Sequence, residues 1–411
     1  MWSKLLDYFL TGMMVEDRLS VTYPDGQTRD YGPGMGERAH LEIKDFSTLR
    51  ALLTNPDLGL GEGYMDERIV PRNCTLEQAM TIIIRNRSAG TLPAWVLAAD
   101  RARLYLRRFI QHNAPQAARR NIAHHYDLSD ELYRTFLDDD MQYSCAYFRE
   151  PEMTLEAAQA AKKEHIATKL LLEPDMHVLD IGCGWGGMAL TLAQDYGCRV
   201  TGITLSTNQL ATARARVAAA GLSDRIHLML QDYRHTEGQF DRIVSVGMLE
   251  HVGVPNFDTY FSCIKNLLHP DGVALVHTIG KPSPPQAHSP WINKYIFPGG
   301  YVPSLSEIAP ALENSGLWQT DIEIWRLHYA QTIRHWRDRF EAHIDEIRST
   351  YDARFIRMFR YYLTICFLAF EHQMQAVYHF QLAHKRDTVP LTRAYLHASS
   401  DRNATNSTKR T

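Results

Sequence analysis

The chain has 411 residues, 45% of them hydrophobic and 22% charged, which excludes a disordered, collagenous or coiled-coil protein. Its 44 basic and 47 acidic side chains leave a net charge of −3, so charge alone implies no nucleic-acid partner. Six cysteines (Cys74, Cys145, Cys183, Cys198, Cys263 and Cys366) show neither framework spacing nor a CxxC pair, which points to free thiols and away from zinc. No run approaches the ~20 apolar residues needed to span a bilayer. The first residues, MWSKLLDYFLTGMM, lack the sustained apolar stretch and small-residue cleavage site of a signal peptide. The expectation is a cytoplasmic protein, or one that sits on a membrane without crossing it.

In chain order, residues 1 to about 90 begin with a hairpin pattern, LSVTYPDGQTRDYG, turning at Pro24-Asp25-Gly26. The glycine-rich NPDLGLGEGYMDERI follows. A basic segment, AWVLAADRARLYLRRFIQ, runs from Ala94 into a looser stretch around Asn113-Ala114-Pro115, the expected linker. Between about 121 and 330, strand and helix patterns alternate. The expected strands are HVLDIG (His177 to Gly182), RVTGITL (Arg199 to Leu205), RIHLML (Arg225 to Leu230), FDRIVSVG (Phe240 to Gly247) and GVALVHTI (Gly272 to Ile279). A helix starts with Ser206 as N-cap and stops at Gly221, and another opens at Ser304 with Glu307 completing a capping box. The remainder reads as largely helical, YYLTICFLAF (Tyr361 to Phe370) suiting a buried helix, before a polar tail, ASSDRNATNSTKRT. The order of elements defines an α/β fold with a doubly wound parallel sheet. The expected domains are an N-terminal accessory α+β domain over 1–115, a catalytic domain with helical lid segments over 121–395, and a disordered tail over 396–411.

The first turn of that sheet reads LDIGCGWGG. Gly182, Gly184 and Gly186 allow a tight bend and close backbone approach to a ligand, and the next helix offers bare N–H groups. The same letters also satisfy GxGxxG through Gly187, so an NAD-dependent oxidoreductase is the competing reading. Two details favour an S-adenosylmethionine site. Asp180 stands two residues before the first glycine, and the dehydrogenase's ribose-binding acid is missing from the second strand, which ends Ile203-Thr204-Leu205-Ser206. Glu250 follows the fourth strand, where doubly wound sheets place active sites, and position alone leaves it open between a solvated loop residue and a functional carboxylate. His277 and Ile279 lie on the same carboxyl edge. His124 and His125 lack partners at metal-ligand spacing, so no metal is expected.

The ordered set HYDLS, MQYSCAYF, LDIGCGWGG, TLSTNQ, MLEHVG, HTIG, NKYIFPGG, HYAQTIRHW and RMFRYYLTICFLAF resembles the cyclopropane-fatty-acid synthases, including the mycolic-acid cyclopropane synthases, over about 121–385. Residues 1 to about 115, with GEGYMDERI, are similar to the extra domain of the phospholipid-acting bacterial members. The resemblance implies that Tyr126, Tyr143, Ser144, Gly182, Gly184, Thr204 and Gln209 hold S-adenosylmethionine, with Asp232 and Tyr233 bracketing the adenine. It further implies a bicarbonate ion contacted by Cys145, Glu250, His277, the Ile279 backbone and Tyr329. Cys366 matches a cysteine nominated as active-site in the family, but an apolar helix would leave its thiol poorly ionised. A homodimer is the family-based expectation.

The chemistry explains the groups. An isolated cis alkene is a weak nucleophile and attacks only a strongly electrophilic methyl, which a sulfonium provides. The carbocation that forms must lose a proton from the new methyl to close a three-membered ring, so a fixed, weakly nucleophilic base is needed. Aromatic rings at Tyr143, Tyr147, Tyr295, Phe297 and Tyr329 would stabilise cationic charge. Because the double bond lies mid-chain in a phospholipid, the enzyme is expected to dock peripherally on the inner face of the cell membrane. Arg101, Arg103, Arg107 and Arg108, with Trp95, Leu104, Leu106 and Phe109, form a candidate docking element, and an ordinary solvated helix face is its equal alternative. Within the same class, the alternative product is a methyl branch without ring closure.

Overall fold

The computed structural model describes residues 1–110 and 129–396 apart from Met35 and Leu92, and not the side chains of 107–110. The expected linker, the 397–411 part of the tail, Tyr126, and the side chains of Arg107, Arg108 and Phe109 therefore lie outside the described residues. Contacts gather the chain into two units. The first combines 1–109 with 286–298 and 330–375; the second comprises 110–285, 299–329 and 376–411. The linear division expected from the sequence placed both inserted stretches of the first unit in the catalytic domain.

The first unit holds a four-stranded sheet in the order β2-β1-β3-β4. The expected hairpin forms between β1 (Arg18–Thr22) and β2 (Thr28–Tyr31), with Gly26 at φ +81° in the turn. β3 (Arg38–Ile43) joins β1 in parallel, and β4 (Ile69–Pro71) closes the edge. Alternate residues Leu19, Val21, Leu41 and Ile43 bury one face against the helices. The glycine-rich stretch is a helix, Pro56–Met65, despite the poor intrinsic propensity of its three glycines. Packing explains it. A Cβ at Gly59 would meet the Ala51 backbone at 2.6 Å, one at Gly61 the Trp291 indole at 2.3 Å, and one at Gly63 the Ile69 side chain at 2.5 Å. The long helix Ala353–His372, capped by Asp352, packs on this helix and on Leu76–Ala89, and it buries much of the apolar run read from the sequence.

The second unit is built on a seven-stranded sheet in the order β10-β11-β9-β8-β5-β6-β7. β5 (His177–Ile181), β6 (Arg199–Thr204), β7 (Ile226–Leu230), β8 (Phe240–Val246) and β9 (Leu268–Gly280) are parallel neighbours and match the five expected strands, β9 starting four residues earlier. Two strands were not anticipated. β11 (Ala376–Ala383) joins β9 antiparallel and β10 (Trp318–Trp325) joins β11 antiparallel at the edge, so the C-terminal part is not simply helical. All eight residues of β11 are buried, which removes the alternation by which a strand is recognised. Side chains alternate onto two apolar layers: Leu179, Ile181 and Ile243 face one, and Val178, Val200, Val244 and Leu275 the other. Helices cover both. Ser206 caps Thr207–Ala219 by accepting the Gln209 N–H at 3.2 Å, and the Ser304 N–H donates to Glu307 at 2.9 Å as the capping box requires.

Candidate active site

A cavity opens at the carboxyl ends of β5, β6 and β8, the position at which a doubly wound sheet binds ligands. Its floor is the β5 turn. The Gly182 and Cys183 N–H groups both donate to the Ile203 carbonyl, at 2.9 and 3.0 Å, folding the turn back over β6. Gly182, Gly184 and Gly186 take φ values of +85°, +54° and +82°, a region that favours glycine. A Cβ on Gly184 would meet no atom of the described residues within 4 Å, and Gly184 lines the cavity. Gly187 is glycine for another reason, since a Cβ there would strike Gln142 and Asp140 at 2.3 and 2.5 Å. Asp180 reaches the cavity from β5 with one carboxylate oxygen unpartnered among the described residues, and burial pushes its pKa up to about 7. It is a buried acceptor waiting for a donor.

Of the nine residues expected to hold the cofactor, Tyr143, Ser144, Gly182, Gly184, Thr204, Gln209, Asp232 and Tyr233 all line this one cavity. Each is locally anchored. The Tyr143 ring packs edge-on to Tyr133 at 5.2 Å, and Tyr133 in turn packs on Trp185 at 5.0 Å. The Ser144 hydroxyl accepts from Lys162 at 2.8 Å, and Lys162 also donates to Gln142 at 2.6 Å. Burial pulls that lysine down to about 8, with Asp138 opposing. Thr204 donates to Gln209 Oε1 at 3.3 Å, leaving the glutamine amide hydrogens for a ligand. Burial would raise the Asp232 pKa, but its hydrogen bonds with Arg234, 2.6 and 2.8 Å long, lower it and keep the carboxylate charged.

Sequence reasoning missed several lining residues. Met141 holds φ +56°, uncommon for a residue with a side chain, just before Gln142. Trp185 closes one wall and donates from its indole N–H to Asp130 at 2.9 Å. His251 lines the cavity with a pKa pushed down to about 4 by burial, so it is neutral. Its position next to Glu250 in MLEHVG was the one available signal.

The residues expected around a bicarbonate behave differently. Glu250, on the short helix Leu249–His251, is buried between the lining residues Met248 and His251 but does not line the cavity. Its Oε1 accepts the Ile279 N–H at 2.6 Å, while its Oε2 is buried with no hydrogen-bond partner among the described residues. Burial raises the carboxyl to about 7. The Ile279 N–H, expected as a donor to the ion, is thus taken up by Glu250. His277 is buried and neutral on β9, its Nδ1 2.7 Å from His379 Nε2 on β11. Cys145 is fully buried, its thiol donating to the Ala146 carbonyl at 3.3 Å. Tyr329 lies half-buried in the first turn of His328–Ala342. Tyr147, placed among the cation-stabilising rings, instead stacks on His165 at 4.6 Å and packs on Trp325 at 4.7 Å, outside the cavity lining. Cys366 lies in Ala353–His372 of the first unit, and burial pushes its thiol up to about 12. Such a thiol is poorly ionised, which suits a packing role better than that of a nucleophile.

A parallel five-strand array continued by an antiparallel pair, with a glycine turn and a cavity at its carboxyl edge, defines a class I S-adenosylmethionine-dependent methyltransferase. The comparisons with known proteins agree. The family model described as mycolic acid cyclopropane synthetase matches residues 113–380, and a family described only as a domain of unknown function matches 7–89. The chain belongs to the mycolic acid cyclopropane synthetase family. It is 41% identical over 333 residues to the cyclopropane-fatty-acyl-phospholipid synthase of Escherichia coli K12, covering 81% of this chain and 84% of that one. It is also 42% identical over 270 residues to a probable fatty acid methyltransferase of Pseudomonas putida, covering 62% of this chain and 68% of that protein. Among solved structures, mycolic acid cyclopropane synthase CmaA1 complexed with SAH and CTAB superposes with a TM-score of 0.61 at 33% identity, over 64% of this chain and 97% of that one. The protein is therefore an S-adenosylmethionine-dependent enzyme of the cyclopropane synthase kind, and the oxidoreductase reading falls.

Proposed function

We propose that this enzyme converts the cis double bond of phospholipid acyl chains to a cyclopropane ring, with S-adenosylmethionine as methyl donor and bicarbonate as base. The observation that carries the reading is the half-satisfied carboxylate of Glu250. One oxygen is pinned by the Ile279 N–H, and the other is buried with no hydrogen-bond partner among the described residues. An orphaned acceptor at that depth costs about 1–3 kcal/mol unless a donor arrives, and a bicarbonate hydroxyl is such a donor. Glu250, His277, Cys145 and Tyr329 are the residues assigned to hold the ion. When bound, it would supply a weakly nucleophilic base for the proton released as the ring closes. Glu250 fixes orientation, and Ile279 fixes Glu250. Tyr143 and Trp185 line the cavity with ring faces suited to a sulfonium.

The Pseudomonas relative, named a fatty acid methyltransferase, favours one alternative, methyl transfer without ring closure. Both outcomes add one CH2 unit, so mass alone does not separate them. Incubation with unsaturated phospholipid vesicles and labelled S-adenosylmethionine, followed by proton NMR of the methyl esters, does. Strained ring methylene signals are expected; vinylic or exomethylene signals in their place would establish the branching reading.

The acyl substrate also requires a surface. No helix among the described residues is long and apolar enough to cross a membrane. The helix Ala94–Ile110 exposes Trp95, Leu97, Tyr105 and Leu106, at 43–69% of their free area, beside the exposed Arg101. Apolar side chains next to basic ones suit the headgroup region of an anionic bilayer at the inner face of the cell membrane. Binding to vesicles with anionic lipid is expected to weaken several-fold between low and high salt, because screening shortens the reach of each charge to about 10 Å at 0.1 M. Co-sedimentation that ignores salt would remove the arginines from the docking surface.

A further inference from the structure

Beneath His277 lies a buried polar cluster that the reaction as described does not use. The antiparallel pairing of β9 and β11 sets His379 directly opposite His277. Their rings meet through Nδ1 of His277 and Nε2 of His379 at 2.7 Å, both side chains being 2% exposed or less. His379 Nδ1 has no hydrogen-bond partner among the described residues and stands 3.9 Å from Glu323 Oε2 on β10. That oxygen also takes Lys169 Nζ at 2.6 Å and His165 Nε2 at 2.8 Å, both from the helix Leu155–Lys169. Lys169 is wholly buried and completes the network with Asp321 at 2.8 Å, itself paired to Arg393. The donor atoms of His165, Glu323 and His379 lie within 4.8 Å of one another, as metal ligands would. The lysine ammonium already supplies the cation there.

We propose that His379 is a positioning residue that sets the tautomer of His277, so that His277 offers Nε2 to the base site as a hydrogen-bond acceptor. The inference rests on the reading that places His277 at that site. The groups facing the pair are Glu323 and Asp321 from β10, Lys169 and His165 from the helix, and Lys162, which acts on both rings through its charge. Desolvation keeps both imidazoles neutral, helped by the charge of Lys162 on both rings and of Lys169 on His379, so a nitrogen–nitrogen contact of 2.7 Å holds one proton. There are two ways to place it. If His379 donated from Nε2, its bare Nδ1 lone pair would face the Glu323 carboxylate at 3.9 Å, a repulsive arrangement in a buried setting. With the proton on Nδ1 instead, His379 points N–H at the carboxylate and Nε2 accepts. His277 must then donate from Nδ1, and its Nε2 keeps a lone pair. The Glu323 carboxylate stays ionised to enforce this: burial would raise its pKa, but His165 and Lys169 hold it far below the usual range. An accepting Nε2 suits an O–H donor other than the bicarbonate hydroxyl, which Glu250 takes; the Tyr329 phenol, assigned to the same site, is such a donor.

The test uses the full chain labelled with 15N-histidine, with the His277 signals assigned by their loss in His277→Gln. Expected is a His277 protonated at Nδ1 and bare at Nε2, changing to a tautomer mixture in His379→Phe, which keeps a ring but has no acceptor. His379→Gln, whose amide oxygen can stand where Nε2 stood, is expected to restore the signature. In vesicle assays His379→Phe is expected to lower kcat on the order of 10- to 100-fold at unchanged KM for S-adenosylmethionine, with partial recovery in His379→Gln. A wild-type His277 protonated at Nε2 would overturn the proposal, as would His379→Phe with kcat within twofold of the parent. If the NMR signature is as expected but the wild type makes no ring product from lipid, the proposed function fails and the tautomer assignment stands.

Discussion

A Gly184→Val enzyme is expected to remain folded and to lose S-adenosylmethionine binding by at least about 100-fold. Gly184 holds φ +54°, where a β-branched residue costs on the order of 1–3 kcal/mol in backbone strain. Strain alone would destabilise the fold modestly. The larger effect comes from space. A Cβ at this position meets no atom of the described residues within 4 Å, so the valine methyls would stand in the volume where the β5 turn lets a ligand approach the backbone. Gly184→Ala provides the graded control: one methyl in the same place, less strain, and an intermediate loss. Isothermal titration with S-adenosylmethionine, alongside thermal unfolding, separates the two contributions. An unchanged dissociation constant in folded Gly184→Val would remove the β5 turn from the cofactor site.

The cofactor half of the site is legible in the sequence because it is built from local signals. A strand, a glycine turn and a capped helix occupy adjacent positions, so LDIGCGWGG and the Ser206 cap specify geometry within a few residues. The proposed base half depends on tertiary pairing. Glu250 meets Ile279 across 29 positions, and His277 meets His379 across 102. No spacing rule connects such partners. β11 escaped notice for a related reason: AVYHFQLA is buried on both faces, so His379 and Gln381 interrupt the apolar run without marking a solvent side. The helix Pro56–Met65 shows the opposite failure, in which local propensity was a poor guide because Trp291, Ile69 and the Ala51 backbone each approach too closely for any side chain but hydrogen. Family resemblance supplied Glu250 and His277. The structure alone shows that Ile279 serves the carboxylate and that Cys366 has a thiol burial keeps protonated.

In Glu250→Gln, ring formation is expected to fall by about 30- to 1000-fold, while S-adenosylmethionine affinity stays within about twofold of the parent. The magnitude follows from losing one oriented, charge-assisted contact, worth ~2–4 kcal/mol in rate. The side chain stands outside the cavity lining, so the cofactor pocket has no reason to change. Glutamine keeps the volume, and its carbonyl oxygen can still accept the Ile279 N–H that Glu250 Oε1 accepts at 2.6 Å. That bond orients the amide, and it leaves the NH2 group where the unpartnered Oε2 now lies. A buried acceptor thereby becomes a donor, the wrong polarity for a hydroxyl-bearing base. The same logic gives the pH dependence. Burial raises the Glu250 carboxyl to about 7, so its accepting, ionised form prevails above that pH and is lost as pH falls through it. The wild-type kcat should therefore drop on the acid side with an apparent pKa near 7, a limb that Glu250→Gln should lack. It is read at saturating S-adenosylmethionine, so that Asp180, also raised to about 7, does not act through cofactor binding. Added bicarbonate is expected to restore part of the variant's activity if weakened occupancy accounts for the loss. Near-normal ring formation by Glu250→Gln, or an acid limb that persists unchanged in it, would assign the base site to other residues.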